Sequence, residues 1–288
     1  MRKIRFNHSL QRSKGVYILP SLFTCGNMTF GFLSMQSSVD GHFTSAAWFI
    51  VCAIACDILD GRIARLTKST SEFGMQLDSF SDLVSFGVAP AIMMFELVLK
   101  NHPLTKGKIG VAIAVLFMLC SALRLAKFNV QAAKGVVHAS FRGLPTPASA
   151  GVIISFVLSY DLWLSLNAPE YLFKNYNPAE LATLNFKTIP ILLKAMPKFF
   201  TLMPVVMLVL SFLMVSNVQY ISFKKIHISK PVAFQLLVLI IVLTILVIVF
   251  PQNIFFIIFC AYAVSGIVMI VPNAILKRRR GSVNEFKE

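Results

Sequence analysis

Asp57, Asp60, Asp78 and Asp82 make up a third of the chain's twelve acidic residues and are the residues best placed to do chemistry. On helices, Asp57 and Asp60 (i, i+3) share one face, and so do Asp78 and Asp82 (i, i+4), with Cβ atoms about 5–6 Å apart in each pair. All four fall in stretches apolar enough to cross a membrane. There an ionisable group costs about 2.5–3.5 kcal/mol at the helix centre, and less near an end. Four converging carboxylates also repel one another. One or two divalent cations would remove both costs. An all-oxygen ligand set suits Mg²⁺, Mn²⁺ or Ca²⁺ and not zinc. The plainer alternative is ion pairing with Arg62, Arg65 and Lys68. Asp82 stands too far along its helix from that basic connection for the alternative to account for it. A divalent-cation transporter would also use intramembrane acids, but it leaves the glycines and Arg65 beside them unexplained.

The elements that must hold these groups follow from composition. Hydrophobic residues make up 57% of the 288, and charged residues 14%, against about 25% in soluble domains. The class expected is an all-α, polytopic transmembrane bundle. Eight spans are predicted, at 19–39, 43–64, 75–99, 109–129, 147–166, 197–216, 232–250 and 253–272. The connection near Thr67–Phe73 is short, so spans two and three are antiparallel neighbours and both aspartate pairs lie at similar depth. Residues 167–196 read as an outer loop with a short interfacial helix. The five cysteines lie in apolar runs and read as small buried hydrophobes. The five histidines form no ligand cluster.

The net charge of +15 is spread between the apolar runs, which suits membrane orientation and anionic headgroups and not nucleic acid. With the N-terminus inside, the inner segments carry 20 Lys and Arg and the outer segments 7. This places both termini in the cytoplasm. Residues 1–18 read as a basic cytoplasmic arm and 273–288 as a basic tail.

Glycines add a second signal. Gly61 follows Asp60 within a helix, and Gly74 opens the next one. Small residues allow a flat ligand or another helix to approach the backbone. Arg65, one turn from Gly61, could hold a phosphate.

The pattern D-x2-D-G-x2-A-R-x8-G-x3-D-x3-D is met by Asp57, Asp60, Gly61, Ala64, Arg65, Gly74, Asp78 and Asp82. It resembles the signature of the CDP-alcohol phosphotransferases. The resemblance spans about residues 16–160 and includes LPSLFTCGN at 19–27, ALRLAKFN at 122–129 and GLPTPASAG at 143–151. Within the family it is most similar to the membrane-embedded bacterial phosphatidylserine synthases. Mild departures stand at Ser21, Ser81 and Lys127, where Asn, Ala and Arg are common.

The resemblance implies a six-helix core over 19–216, with two further spans over 217–272, and a homodimer in the inner membrane with its site near the cytoplasmic face. Asp57, Asp60 and Asp78 would ligate divalent metal, two ions of Mg²⁺ or Mn²⁺. Asp82 would complete the coordination of the second metal ion and act as general base. Gly61, Ala64, Arg65 and Gly74 would line a cytidine nucleotide pocket, and Asn27 resembles a first-helix residue facing the nucleotide. The implied substrates are CDP-diacylglycerol and L-serine. A sister activity on glycerol phosphate or inositol phosphate is the alternative. For serine's carboxylate the candidates are Arg124 and Arg142, with Asn129 in the same segment as Arg124. Lipid phosphate is the other ligand these arginines could take.

The charge asymmetry generates a direct expectation. A cysteine in a C-terminal tag should react with an impermeant maleimide only after the cells are opened. Labelling of intact cells would place the C-terminus outside.

Overall fold

In the computed structural model, residues 15–67, 71–133, 141–167, 190–220 and 253–266 are described. They form an up-and-down helical bundle. Helices α1 (Gly15–Val39) and α2 (Phe43–Leu66) make an antiparallel hairpin. Its turn is closed by Gly41 at φ +80°, with the His42 N–H donating to the Ser37 carbonyl over 2.8 Å. That left-handed residue and the long back-bond form a helix stop.

Helix α3 (Glu72–Leu99) follows after a short connection. Ser71 caps it, its hydroxyl accepting from the Gly74 N–H at 3.0 Å. Glu72 places negative charge at the positive end of the helix. Two wide π-turns interrupt α3, at Leu83–Val88 and Phe95–Leu99. Helices α4 (Lys108–Ala133), α5 (Thr146–Asn167) and α6 (Pro190–Val215) complete the larger elements. A last described helix, α7, covers Asn253–Gly266.

Five of these helices are long and apolar enough to span a membrane: α2, α3, α4, α5 and α6. Helix α1 is long enough at 25 residues, but its predicted span is more polar. Of its polar residues, Thr24, Asn27, Ser34 and Ser38 are buried inside the bundle. Predicted span 232–250, residues 1–14 of the expected arm and the basic tail lie outside the described residues, while residues 15–18 of that arm belong to the first turn of α1.

The all-α class holds, with one small addition among the described residues: Phe141–Arg142 and Gln219–Tyr220 form a two-residue antiparallel pair. Gly143, at φ +83°, then donates to the Val218 carbonyl at 2.8 Å, strapping the start of α5 to the end of α6. In addition, α6 begins at Pro190, inside the expected outer loop, and runs through Pro197 and Pro204. Membrane helices tolerate such prolines because neighbouring groups satisfy the freed backbone.

Helix α3 is the central element. On one side, Ser81 donates to the Thr24 carbonyl at 3.0 Å, and Ser85 donates to the Asn27 carbonyl at 2.8 Å. Gly31 permits this approach, since a Cβ there would stand 2.9 Å from the Ser85 Cα. On the other side, a Cβ on Gly87 would stand 2.9 Å from Ser121 Oγ on α4. Small residues thus let three helices pack with their backbones close.

This seam can be tested. Gly31→Ala should lower the thermal midpoint of the purified protein, by overpacking worth about 1–3 kcal/mol. Gly26→Ala should be tolerated, because its Cβ would lie an ordinary 3.5 Å from Cys56 Sγ. Equal midpoints for the two variants would contradict the close α1–α3 contact.

Candidate active site

The end of α2 and the start of α3 bring the aspartates together. Carboxylate oxygens of Asp57, Asp60 and Asp78 lie within 4.8 Å of one another. Asp82 follows Asp78 one turn further along α3. Asp60 is buried at 5% exposure, and its Oδ2 accepts from Thr24 Oγ1 at 2.9 Å. One oxygen each of Asp78 and Asp82 is buried without a partner.

Among the described residues no basic group pairs with any of the four at 4.0 Å or less. Arg65 instead donates through Nε to the Gly61 carbonyl at 2.8 Å. Lys68 lies outside the described residues. A compact all-carboxylate cluster with unpartnered buried oxygens and no ion-paired side chain among the described residues fits a hard divalent cation. These residues could hold one.

A cleft of about 470 Å³ opens beside the cluster, within the usual size range of small-ligand sites. Gly61, Ala64 and Arg65 line it from α2, and Gly74 and Asp78 from α3. Pro20, Ser21 and Thr24 close it from α1. The four residues expected around a nucleotide therefore share one cavity with two of the acids. Gly61 faces open space, its nearest would-be contact being the Arg65 guanidinium at 3.8 Å. At Gly74 a Cβ would press on the capping Ser71 hydroxyl at 3.1 Å, so that glycine also serves the helix start.

Other candidates are placed differently. Asn27 is wholly buried, one turn deeper than Thr24, and is not among the residues lining the cleft. Both of its amide atoms lack partners. Asn129 is engaged, donating to Ser79 Oγ at 2.8 Å and to Gln76 Oε1 at 3.4 Å, which ties α4 to the aspartate-bearing turns of α3. Arg142 sits in the short strand opposite Gln219, and its side chain lies outside the described residues. Arg124 is half-buried on α4. Its Nη1 donates to Thr146 Oγ1 at 3.3 Å, its Nε is buried and unpartnered, and its charge faces Asp82.

Thr24, Thr146 and Ser71 had no assigned place in the sequence reading. Thr24 precedes Asn27 by three residues on α1. That spacing was the available signal for a polar face turned toward the acids. The three departures also find places. Ser21 lines the cleft. Ser81 binds the α1 backbone. Lys127 Nζ donates to Asn217 Oδ1 at 2.8 Å.

Comparison with known proteins identifies the family. Residues 17–177 match the CDP-alcohol phosphatidyltransferase family. The chain is 32% identical over 253 residues to a CDP-diacylglycerol–serine O-phosphatidyltransferase of Helicobacter pylori, covering 88% of this chain and 91% of the relative. It is 34% identical over 143 residues to the enzyme of that name from Bacillus subtilis, covering 50% of this chain and 77% of the relative. An archaetidylserine synthase of Methanothermobacter thermautotrophicus is 38% identical over 143 residues, covering 49% and 58%. The matched segment holds all four aspartates, both cleft glycines and Arg65, and on that ground the chain belongs to the CDP-alcohol phosphatidyltransferase family.

Proposed function

We propose that this protein transfers the phosphatidyl group of CDP-diacylglycerol to the hydroxyl of L-serine, giving phosphatidylserine and CMP. The observation that carries the reading is the shared wall of cleft and acid cluster, where Asp60 and Asp78 stand beside Gly61, Ala64, Arg65 and Gly74. The names of the relatives supply the donor and the acceptor.

Asp57, Asp60, Asp78 and Asp82 would hold two divalent ions, Mg²⁺ or Mn²⁺, which when bound neutralise the pyrophosphate and the leaving phosphate. The cleft receives the cytidine nucleotide, with the two glycines allowing close approach and Arg65 available to a phosphate. Serine's hydroxyl oxygen forms the new bond to the lipid-bearing phosphorus. The bond from that phosphorus to CMP breaks, and CMP leaves with the electron pair. The hydroxyl proton passes to Asp82, whose buried, unpartnered oxygen is free to receive it.

Arg124 faces Asp82 from α4 and would take serine's carboxylate, with Arg142 the second candidate. The acyl chains stay in the bilayer, so the site needs only headgroup depth. The protein acts as a homodimer in the inner membrane, with the site and both termini on the cytoplasmic side.

Two experiments test the centre of this reading. EDTA should abolish turnover and Mg²⁺ or Mn²⁺ should restore it. Full turnover in buffer shown to be metal-free would remove the role given to the cluster. Asp82→Asn should lower turnover by the roughly 10²–10⁴-fold expected of a lost general base, while metal-dependent binding of CDP-diacylglycerol persists in calorimetry. Asp60→Asn should lose both turnover and binding. Near-normal turnover by Asp82→Asn would assign the proton to another group.

A further inference from the structure

The turn that joins α3 to α4 stands at the end of the bundle opposite the aspartates, with about 25 Å of helix between Asp82 and Leu99. It carries Lys100, Lys106 and Lys108, three of the seven cations assigned to the outer segments. On the orientation proposed above, they stand where the positive-inside bias disfavours charge. The fold gathers all three around one cavity of about 620 Å³. Phe95 from α3 and Val111 from α4 supply apolar lining, and Asn101 adds a neutral polar group.

The turn is held from several directions. The wide turn at the end of α3 closes on it, the Lys100 N–H donating to the Phe95 carbonyl at 2.9 Å. Thr105 is buried and donates to the Leu99 carbonyl at 3.1 Å. His102 is buried as well, and its Nδ1 accepts from the Leu104 N–H at 3.2 Å. Its Nε2 therefore carries the proton and donates to the Thr201 carbonyl of α6 at 3.1 Å. Gly107, at φ +81°, turns the chain between Lys106 and Lys108. The backbone under the lysines is thus fixed, and only their side chains need ordering when an anion arrives.

Charge and surface define what fits. Lys100 Nζ pairs with Glu96 at 2.9 Å. Lys106 and Lys108 are exposed, and among the described residues no carboxylate stands within 4.0 Å of either. The cavity therefore has two cations to spare. An apolar ridge leads away from it along α4, where Val111, Val115 and Leu119 follow one another at i, i+4 and are all exposed. A soluble anion would use only the lysines. A zwitterionic lipid would use only the ridge.

We propose that this cavity binds the headgroup of an anionic phospholipid from the leaflet opposite the aspartates, with an acyl chain laid along the Val111–Leu119 face of α4. The lysine stems lie against apolar surface while their ammonium groups reach the phosphate. The site is separate from the catalytic cleft, so it does not depend on the reaction assigned there.

The test uses purified full-length protein in phosphatidylcholine vesicles that contain phosphatidylglycerol with a photoreactive acyl chain. The labelled peptide is identified by mass spectrometry. The label should fall on α4 between Val111 and Leu123. Unlabelled phosphatidylglycerol should compete it away, while added phosphatidylcholine and glycerol phosphate should not. Lys106→Gln with Lys108→Gln should weaken labelling about ten- to thirtyfold, from about fivefold for each lysine beside a phosphate. Lys106→Arg with Lys108→Arg should keep it. Lys198→Gln removes an exposed charge from α6, three residues from Thr201 and outside the cavity, and should change labelling by less than about twofold. Label away from α4, or equal competition by phosphatidylcholine, would reduce the ridge to ordinary lipid contact and overturn the proposal. Competition by glycerol phosphate would assign the lysines to a soluble anion and overturn it too. An equal loss in Lys198→Gln would mean a diffuse field with no site. Loss in the arginine pair as well as the glutamine pair would trace labelling to the fold of the turn, which also overturns it.

Discussion

The carboxylates of Asp57, Asp60 and Asp78 stand within 4.8 Å of one another, in a bundle whose apolar faces are made for lipid. Their repulsion has to be met locally, because the surrounding medium screens little. The chain meets it only in part. Thr24 donates to Asp60, while Asp78 and Asp82 keep buried oxygens with no partner. The helix connection near Arg62 and Arg65 supplies no cation within 4.0 Å of the four acids among the described residues. Such a cluster could be completed by a divalent cation, and the adjoining cleft opens on two of the same carboxylates.

Helix α3 makes the arrangement rigid. It carries two of the acids and packs against α1 through Ser81, Ser85 and Gly31, and against α4 through Gly87 and Ser121. The π-turn at Leu83–Val88 begins directly after Asp82. Such widened turns shift the face a helix presents and recur at functional sites. Here Asp82 precedes the shift, while Ser85 and Gly87 lie within it and meet two different neighbours. Asn129 adds a strut from α4 to Gln76 and Ser79, on the turns that carry Asp78. The acids are thus held from three helices.

The site has two sides. The cleft, made by α1, α2 and the start of α3, carries glycines and Arg65. The opposite side, made by α4 and α5, carries Arg124 held by Thr146. Asp82 stands between them. A donor on one side and an acceptor on the other would meet at the acids, which is the geometry that transfer of a group between two substrates requires.

Much of this was legible in the sequence because it depends on local geometry. The i, i+3 and i, i+4 spacings put each aspartate pair on one helix face, and the short connection brought the two faces to one depth. Gly61, Ala64, Arg65 and Gly74 lie within two turns of that connection, so their meeting around one cavity followed from the same hairpin. Apolar composition and the positions of lysine and arginine carried the membrane class. What the sequence could not determine is how each helix rotates about its own axis and how far it slides along its neighbours. Those choices turn Thr24 toward Asp60, bury Asn27 away from the cleft wall and engage Asn129 with α3. They are set by contacts between residues remote in sequence, such as Gly31 with Ser85 and Gly151 with Phe259. Small side chains there decide the approach of whole helices, and no periodicity within one helix records which partner they will meet.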